Sequence, residues 1–415
     1  MNTPYALEQQ YGRIAGELDS YIDSTGFWDP SGLMYAYIDV STGRPFEPEF
    51  ITNTKVPRRA DVDPWAWWTY EDTVESTGVY IDGLIRKYRV TGDAACLDRA
   101  RSAWESLRNI YYASQVYGIG SFLRPYGGFE GMGRFVEPLG TDQASPMFSG
   151  LYFYMRYADD QTRAEIADIM LKTLTWYEQQ GFKYFYYKNF IHHWEPATQH
   201  AAAYYLPAIA WAAQVTGEDR WRNHLEAGLA LFRQPDYTIY DSFCWGGDLA
   251  VLRDVFGDRI ADYLTSEIKD KGFARCQEAL SVFDEPGMTW RVHPESAEPG
   301  FQPYVRPDFN RNEGFGFAYL ATVHGGRARP RRELHFLCGL AELGYPGAFE
   351  RAVEVLGCRN NVPGDFMEFL SEDYDNLPET VHIYARSVGA ILFEWWRDYW
   401  WLREIESRKT TGAGI

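Results

Sequence analysis

The chain has 415 residues, enough for a large closed core, and 17% of it is aromatic, with 15 Trp and 30 Tyr. A core alone needs fewer Trp and Tyr, because their polar tips must find partners when buried, so the surplus points to a surface that stacks on ring-shaped ligands. A formal net charge of -18 argues against nucleic acid and anionic membranes, which select basic patches, and leaves room for a sugar held by local arginines.

Cys96, Cys244, Cys276, Cys338 and Cys358 are scattered, odd in number and without a CxxC pair. A disulfide framework or a structural zinc site is therefore not expected. No apolar run reaches the roughly 20 residues that span a bilayer, and the first residues lack a basic stretch followed by an apolar one. The expected location is the cytoplasm, or the periplasm where a leader has been removed. No Gly/Ser-rich or Pro-rich linker interrupts the chain. A single domain over 1–407 with a flexible tail at 408–415 is the simplest reading.

Helical periodicity dominates in chain order. Tyr5–Tyr21 reads as a first helix. Thr69–Val90 follows and stops at Thr91-Gly92-Asp93, where Ala94–Tyr112 begins. Gly after one helix and Asp before the next are the punctuation expected of a tight helical hairpin. The device recurs: Ser145–Tyr157 leads into Gln161–Gln180, Ala197–Val215 into a helix ending at Phe232, and Trp245–Phe256 into one ending at Leu280. Arg311–His324 is followed by Arg331–Leu343, a smaller helix lies near Ala348–Leu356, and Glu379–Arg403 is the last. Lys183–Tyr187 and Met288–Val292 suit short strands in loops.

The helices alternate in character as well. Those after the long loops are rich in Ala, Gly and aromatics, and their partners carry more charge. A helix apolar nearly all round is buried, and an amphipathic one covers it. The pattern predicts an all-α fold, an (α/α)6 toroid of six inner and six outer helices with minor β-strands in loops. The first helix is then outer, the last is inner, and the two close the ring.

In such a ring the inner helices begin at one end, where the long loops also lie. Their starts carry Asp72 and Glu75; Asp142 and Gln143; His193, Glu195 and His200; Trp245 and Asp248; Arg311 and Glu313; and His382. Asp, Thr, Asn and Glu also cap helices and favour the positive end of the helix dipole, which accounts for one acid per start. Glu75, His200, Asp248 and His382 are expected a turn or more inside helices, where burial is costly unless the group is paired or functional. The loops add Trp67, Trp68 and Trp290 for stacking, and Arg124, Arg306 and Arg311 for holding a carboxylate in bidentate fashion. Aromatics mixed with acids, amides and arginines suit a sugar.

The segments EDTVESTGVYIDGLIRKYRVTGD and GTDQASPMFSGLYFYMRYADD resemble those of the six-hairpin glycosidase superfamily. They look like parts of its uronic-acid-releasing members, such as unsaturated glucuronyl hydrolases and β-glucuronidase-like proteins. The resemblance implies an (α/α)6 barrel with catalytic carboxylates at inner-helix N-termini. Asp142 is the best positional match, with Glu75 next to it.

The expected chemistry is hydrolysis of a glycosidic bond in an oligosaccharide, including one that contains a uronic acid, by two carboxyl groups. Asp142 and Glu313 are the expected pair and Glu75 the third candidate. Trp67, Trp68, Asp72, Gln143, His193, Glu195, His200, Trp245, Asp248, Trp290, Arg306, Arg311 and His382 are the expected substrate contacts. The alternatives are a lyase eliminating next to a uronate, a sugar epimerase, and a non-catalytic sugar-binding protein. His192, His193 and His200 lack the i, i+4 spacing of a helical zinc site, so no metal is expected. The sequence has no P-loop, no GxGxxG and no GxSxG, so no cofactor is expected either. The expected partner is an oligosaccharide substrate, not nucleic acid or membrane.

Overall fold

The computed structural model describes residues 6–24, 26–39, 42–53, 62–134, 136–182, 199–235, 237–243, 248–281, 290–293, 304–307, 331–357 and 387–411. Its first half runs α1 (Ala6–Ser24), β1 (Tyr37–Asp39), α2 (Pro48–Asn53), α3 (Pro64–Tyr70), α4 (Thr73–Thr91), α5 (Ala95–Val116), α6 (Gly128–Gly131), α7 (Thr141–Tyr154), α8 (Asp160–Gln179), α9 (Gln199–Thr216) and α10 (Asp219–Leu231). The second half runs α11 (Ile239–Phe243), α12 (Leu249–Phe256), α13 (Ile260–Tyr263), α14 (Ser266–Ser281), β2 (Trp290–His293), β3 (Tyr304–Pro307), α15 (Arg331–Glu342), α16 (Ala348–Leu356), β4 (Ser387–Gly389) and α17 (Ala390–Thr411). The fold is all-α. Among the described residues the strands form two antiparallel pairs, β1 with β4 and β2 with β3. Among the same residues, no helix is long and apolar enough to cross a membrane.

Local signals set the helix ends. Gly92 takes a φ of 71°, and its N–H bonds the Tyr88 carbonyl, closing α4 in the left-handed turn that only glycine adopts without strain. Asp159 opens α8 by accepting the Thr162 N–H at 2.8 Å.

The packing of the central helices runs in a cycle: α4 on α7, α7 on α9, α9 on α11 and α12, α12 on α15, α15 on α17, and α17 on α4. Around it, α5 packs on α4, α10 on α9, α14 on α11 and α15, α16 on α15 and α17, and α1 on α17. Several neighbours are parallel, because contacts advance together along both helices. Gly78 meets Met147 and Arg86 meets Phe153 between α4 and α7. Tyr80 stacks on Trp396, and Arg86 reaches Glu404, between α4 and α17. His335 meets Arg397, and Glu342 meets Arg408, between α15 and α17.

The tightest crossing is α4 against α7. A Cβ on Gly78 would stand 2.5 Å from the Met147 Cα, and one on Gly150 would run into the Gly78 carbonyl. Two glycines facing each other let the backbones touch, which sets how closely these two helix starts approach.

Several sequence expectations change here. Arg331–Leu343 was expected in the outer layer, but α15 lies in the central cycle, and residues 333–342 are all buried. Its hairpin partner is α16, the helix expected as a small extra. The charges that suggested an outer helix are buried among partners: Glu333 accepts from the Tyr240 hydroxyl, and Glu342 from the Trp401 indole. Of the helix expected at Trp245–Phe256, the described part is α12, Leu249–Phe256, and residues 244–247 lie outside the described residues. The last helix begins at Ala390, after β4, and not at Glu379. It also continues to Thr411, where a tail from 408 was expected, and Arg408 is ion-paired with Glu342 at 2.5 Å. Trp290 to Val292 is strand as expected, whereas 183–187 and 311–324 lie outside the described residues.

Gly150→Ala separates local from tertiary effects. Helix propensity alone favours Ala by about 1 kcal/mol. Overpacking against Gly78 reverses the sign, so urea unfolding should show a net loss of roughly 1–3 kcal/mol; a stabilised variant would contradict the close α4–α7 contact.

Candidate active site at the helix starts

The starts of α4 and α7 are joined by side chains. Asp72 stands at the N-cap of α4, where its carbonyl accepts the Ser76 N–H at 2.8 Å and its side chain makes no cap bond. Its Oδ2 accepts the Tyr37 hydroxyl at 2.7 Å, and its Oδ1 accepts the Gln143 amide. The same Gln143 Nε2 donates to the Glu71 carbonyl at 2.9 Å. One amide in the first turn of α7 therefore holds two residues at the start of α4. Tyr37 comes from β1 and stacks on Trp68 with ring centroids 4.8 Å apart.

The loop before α7 adds a second layer. Arg124 Nη1 donates to Glu71 Oε1 at 2.8 Å, and both side chains are buried. The Arg124 N–H bonds the Glu137 carbonyl at 2.9 Å, and the Tyr126 hydroxyl donates to Glu137 Oε2 at 2.8 Å. The starts of α11 and α15 meet in a similar way, through Tyr240 donating to Glu333 Oε1 at 2.5 Å. Carboxylates at helix N-termini sit at the favourable end of the dipole.

The structure thus brings together Asp72 and Gln143 among the predicted residues. Glu75 was expected a turn or more inside a buried helix, but it lies in the first turn of α4, half-buried. Asp142 lies in the first turn of α7 beside Gln143, and His200 in the first turn of α9, their side chains being outside the described set. Trp290 and Arg306 lie on β2 and β3, where Trp290 pairs with Pro307 and Arg291 with Arg306. His193, Glu195, Trp245, Arg311, Glu313 and His382 lie outside the described residues.

Three further expectations are corrected. Trp67 and Trp68 were expected to offer open stacking faces. They are 6% and 3% exposed, in a small core with Ala36, Tyr37, Phe46, Ile51, Val62, Ala66 and Tyr126. The cause is α3, a short helix capped by Asp63, which lays both rings under the rim. Arg124 was expected to await a substrate carboxylate, and Glu71 already engages it. Asp248 was expected a turn or more inside a helix, but it is the buried N-cap of α12. Its Oδ1 accepts the Ala250 N–H at 2.7 Å.

Asp248 belongs to a charged layer on the axis of the central cycle, centred on Arg86. Arg86 is 1% exposed. Its Nε meets Asp82 at 2.8 Å, its Nη2 meets Asp248 at 3.4 Å, and its Nη1 meets Glu404 at 3.5 Å. The guanidinium lies 3.9 Å from the Trp401 ring centroid and 4.9 Å from that of Phe153. Thirteen residues separate it from Thr73, about 20 Å at helical rise, so this layer is the floor beneath the helix starts. Beside it, Arg397 bonds Asp398 at 2.8 Å and His335 Nδ1 at 2.9 Å. Arg carries only donors, so that ring nitrogen accepts.

Burial works against the charge on Arg86, but Asp82, Asp248 and Glu404 outweigh it and hold its pKa up. Burial pushes the Asp248 carboxyl up to about 6, against the pull of Arg86. Burial acts the same way on Asp398 and Glu342, but Arg397 and Arg408 respectively outweigh it and hold both below the usual carboxylate range. Sequence reasoning missed Tyr37, Glu333 and, apart from Asp248, this axial layer. The available signal was an i, i+4 Asp82–Arg86 pair inside an otherwise apolar helix. Among the described residues, no group of three or more His, Cys, Asp or Glu is arranged to hold a metal ion.

No family model matches the chain. No curated protein matches it either. Among solved structures it is similar to a sugar epimerase from a ruminal bacterium, at 14% identity and a TM-score of 0.45, over 97% of this chain and 100% of that one.

Removing Arg86 leaves Asp82, Asp248 and Glu404 facing one another. Arg86→Met should cost roughly 3–5 kcal/mol in chemical denaturation at neutral pH. Asp248 has a raised folded pKa, so its contribution is fully present below the usual carboxylate value and lost as pH rises through about 6. Asp248→Asn should therefore gain stability relative to the wild type between pH 4 and 7, as read by paired melts across that range. A constant difference would contradict the raised pKa.

Proposed function

We propose that the chain is a carbohydrate-active enzyme working where the central helices begin, on an (α/α)6 toroid. The first reaction on this reading is hydrolysis of a glycosidic bond by two carboxyl groups, drawn from Asp142, Glu313 and Glu75. The observation that carries the reading is the Gln143 bridge. It ties the α7 start to the α4 start, so that Asp142 and Glu75, each in a first turn, belong to one end of the molecule.

In this mechanism one carboxylic acid protonates the leaving oxygen. The other activates water from the opposite face of the sugar, or attacks the anomeric carbon itself. A carboxyl separation of about 5–5.5 Å goes with retention, and about 6.5–9.5 Å with inversion. His193, Glu195, His200, Trp245, Trp290, Arg306, Arg311 and His382 remain proposed contacts to sugar hydroxyls and ring faces.

The test is a screen of oligosaccharides read three ways at once. New reducing ends mark hydrolysis, ultraviolet absorbance from a new double bond marks a lyase, and an altered sugar at unchanged chain length marks an epimerase. On a hydrolysed substrate, Asp142→Asn and Glu313→Gln should each lower turnover by roughly 10²–10⁴-fold with unchanged melting. Full turnover in both variants sinks the assignment of the pair.

A further inference from the structure

A cleft of about 550 Å³ opens where the chain leaves β1 and enters α2. Its walls are Thr42, Arg44, Pro45, Phe46, Glu47 and Phe50, with Asp39 beside them. That volume falls within the range of small-molecule sites, about 300–1,000 Å³. Local bonds hold the walls in place. The Asp39 N–H donates to the Arg44 carbonyl at 2.8 Å, and the Trp65 indole donates to the Phe46 carbonyl at 2.8 Å. The Phe46 and Phe50 rings stack, with centroids 5.4 Å apart and planes 16° from parallel. A cleft with fixed walls loses little freedom when a ligand enters.

Two exposed charges stand in this cleft. Among the described residues, neither the Arg44 guanidinium nor the Glu47 carboxylate has a hydrogen-bond or ion-pair partner. Arg44 offers only donors and an ionised Glu47 only acceptors. A hydroxyl both donates and accepts, so a sugar ring can use the two together, with Pro45 and the half-buried Phe50 ring against its C–H surface. A uronate or phosphate would meet Glu47 as a like charge, and an ammonium group would meet Arg44 in the same way. Opposite charges in one cleft therefore suit an uncharged, hydroxyl-rich ligand.

The cleft is also tied to the helix starts. Tyr37 and Asp39 lie on one face of β1, two residues apart, about 7 Å at strand rise. The Tyr37 hydroxyl donates to Asp72 at the α4 start, and Asp39 lines the cleft. The cleft and the α4 start are thus at the two ends of one short strand.

We propose that this cleft is a distal sugar subsite. Through Arg44, Glu47 and the Phe50 ring it holds an uncharged sugar unit of an oligosaccharide whose other end lies at the helix starts. This rests on the carbohydrate reading above and adds to it a preference for longer chains.

The experiment is calorimetric binding on the full chain, with wild type, Arg44→Ala and Glu47→Ala. The probes are cello-, malto-, manno- and xylopentaose, the matching disaccharides, and pentagalacturonate. Both substituted side chains are exposed, so melting should not change. The expected result is a neutral pentasaccharide that binds the wild type more tightly than its disaccharide does. Each variant should weaken that pentasaccharide roughly tenfold, the loss of one hydrogen bond to a charged group, and leave the disaccharide unchanged. Wild-type affinity in either variant, an equal loss for the disaccharide, or tighter binding of pentagalacturonate than of every neutral chain overturns the subsite and leaves the carbohydrate reading standing. A wild type that binds no saccharide overturns both.

Discussion

The constraint on which the central packing depends is the burial of Arg86. Its guanidinium lies on the axis and touches groups from four helices: Asp82 on its own α4, Phe153 on α7, Asp248 at the head of α12, and Glu404 and Trp401 on α17. Taking such a charge out of water costs several kcal/mol, and no single partner offsets it. The helices must therefore arrive together. Networks of this kind add little net stability, because desolvation consumes the Coulomb gain. Their effect is on arrangement: a cycle one helix too wide or too narrow would leave Arg86 short of a carboxylate.

Above this floor lies a second polar layer of different character. The floor pairs its charges across the axis with one another. The layer at the helix starts joins neighbours instead, α4 to α7 through Gln143 and α11 to α15 through Tyr240 and Glu333. Among the described residues, Gln143 Oε1 has no hydrogen-bond partner in this layer. Between the two layers, the Gly78–Gly150 contact brings the α4 and α7 backbones together. That approach lets a side chain as short as Gln143 span both helix starts. The site geometry thus follows from two missing side chains a few turns away.

The split between what was and was not legible in the residues follows the range of the interactions. The turns at Thr91-Gly92-Asp93 and Ala158-Asp159-Asp160 bond groups within four residues, and the observed ends of α4 and α8 agree with them. The strongly amphipathic helices, such as α5 and α10, also have the expected position. The helix α15 does not. Its Glu333, His335 and Glu342 read as a solvated face, and each has a buried partner on a helix distant in sequence. Trp67 and Trp68 mislead in the same way: their side chains suit a sugar as well as a core, and the fold of α3 onto β1 chose the core.

By itself, then, the sequence determined the all-α class and the helical hairpins, because periodicity and capping act over a few residues. Only the tertiary structure decided which of the acids serve as structure. Asp248 is committed to Arg86, Glu71 to Arg124, and Asp72 to Tyr37 and Gln143. Each of those bonds joins residues far apart in the chain. A carboxylate looks alike at every position until the partner that desolvates or neutralises it is brought alongside.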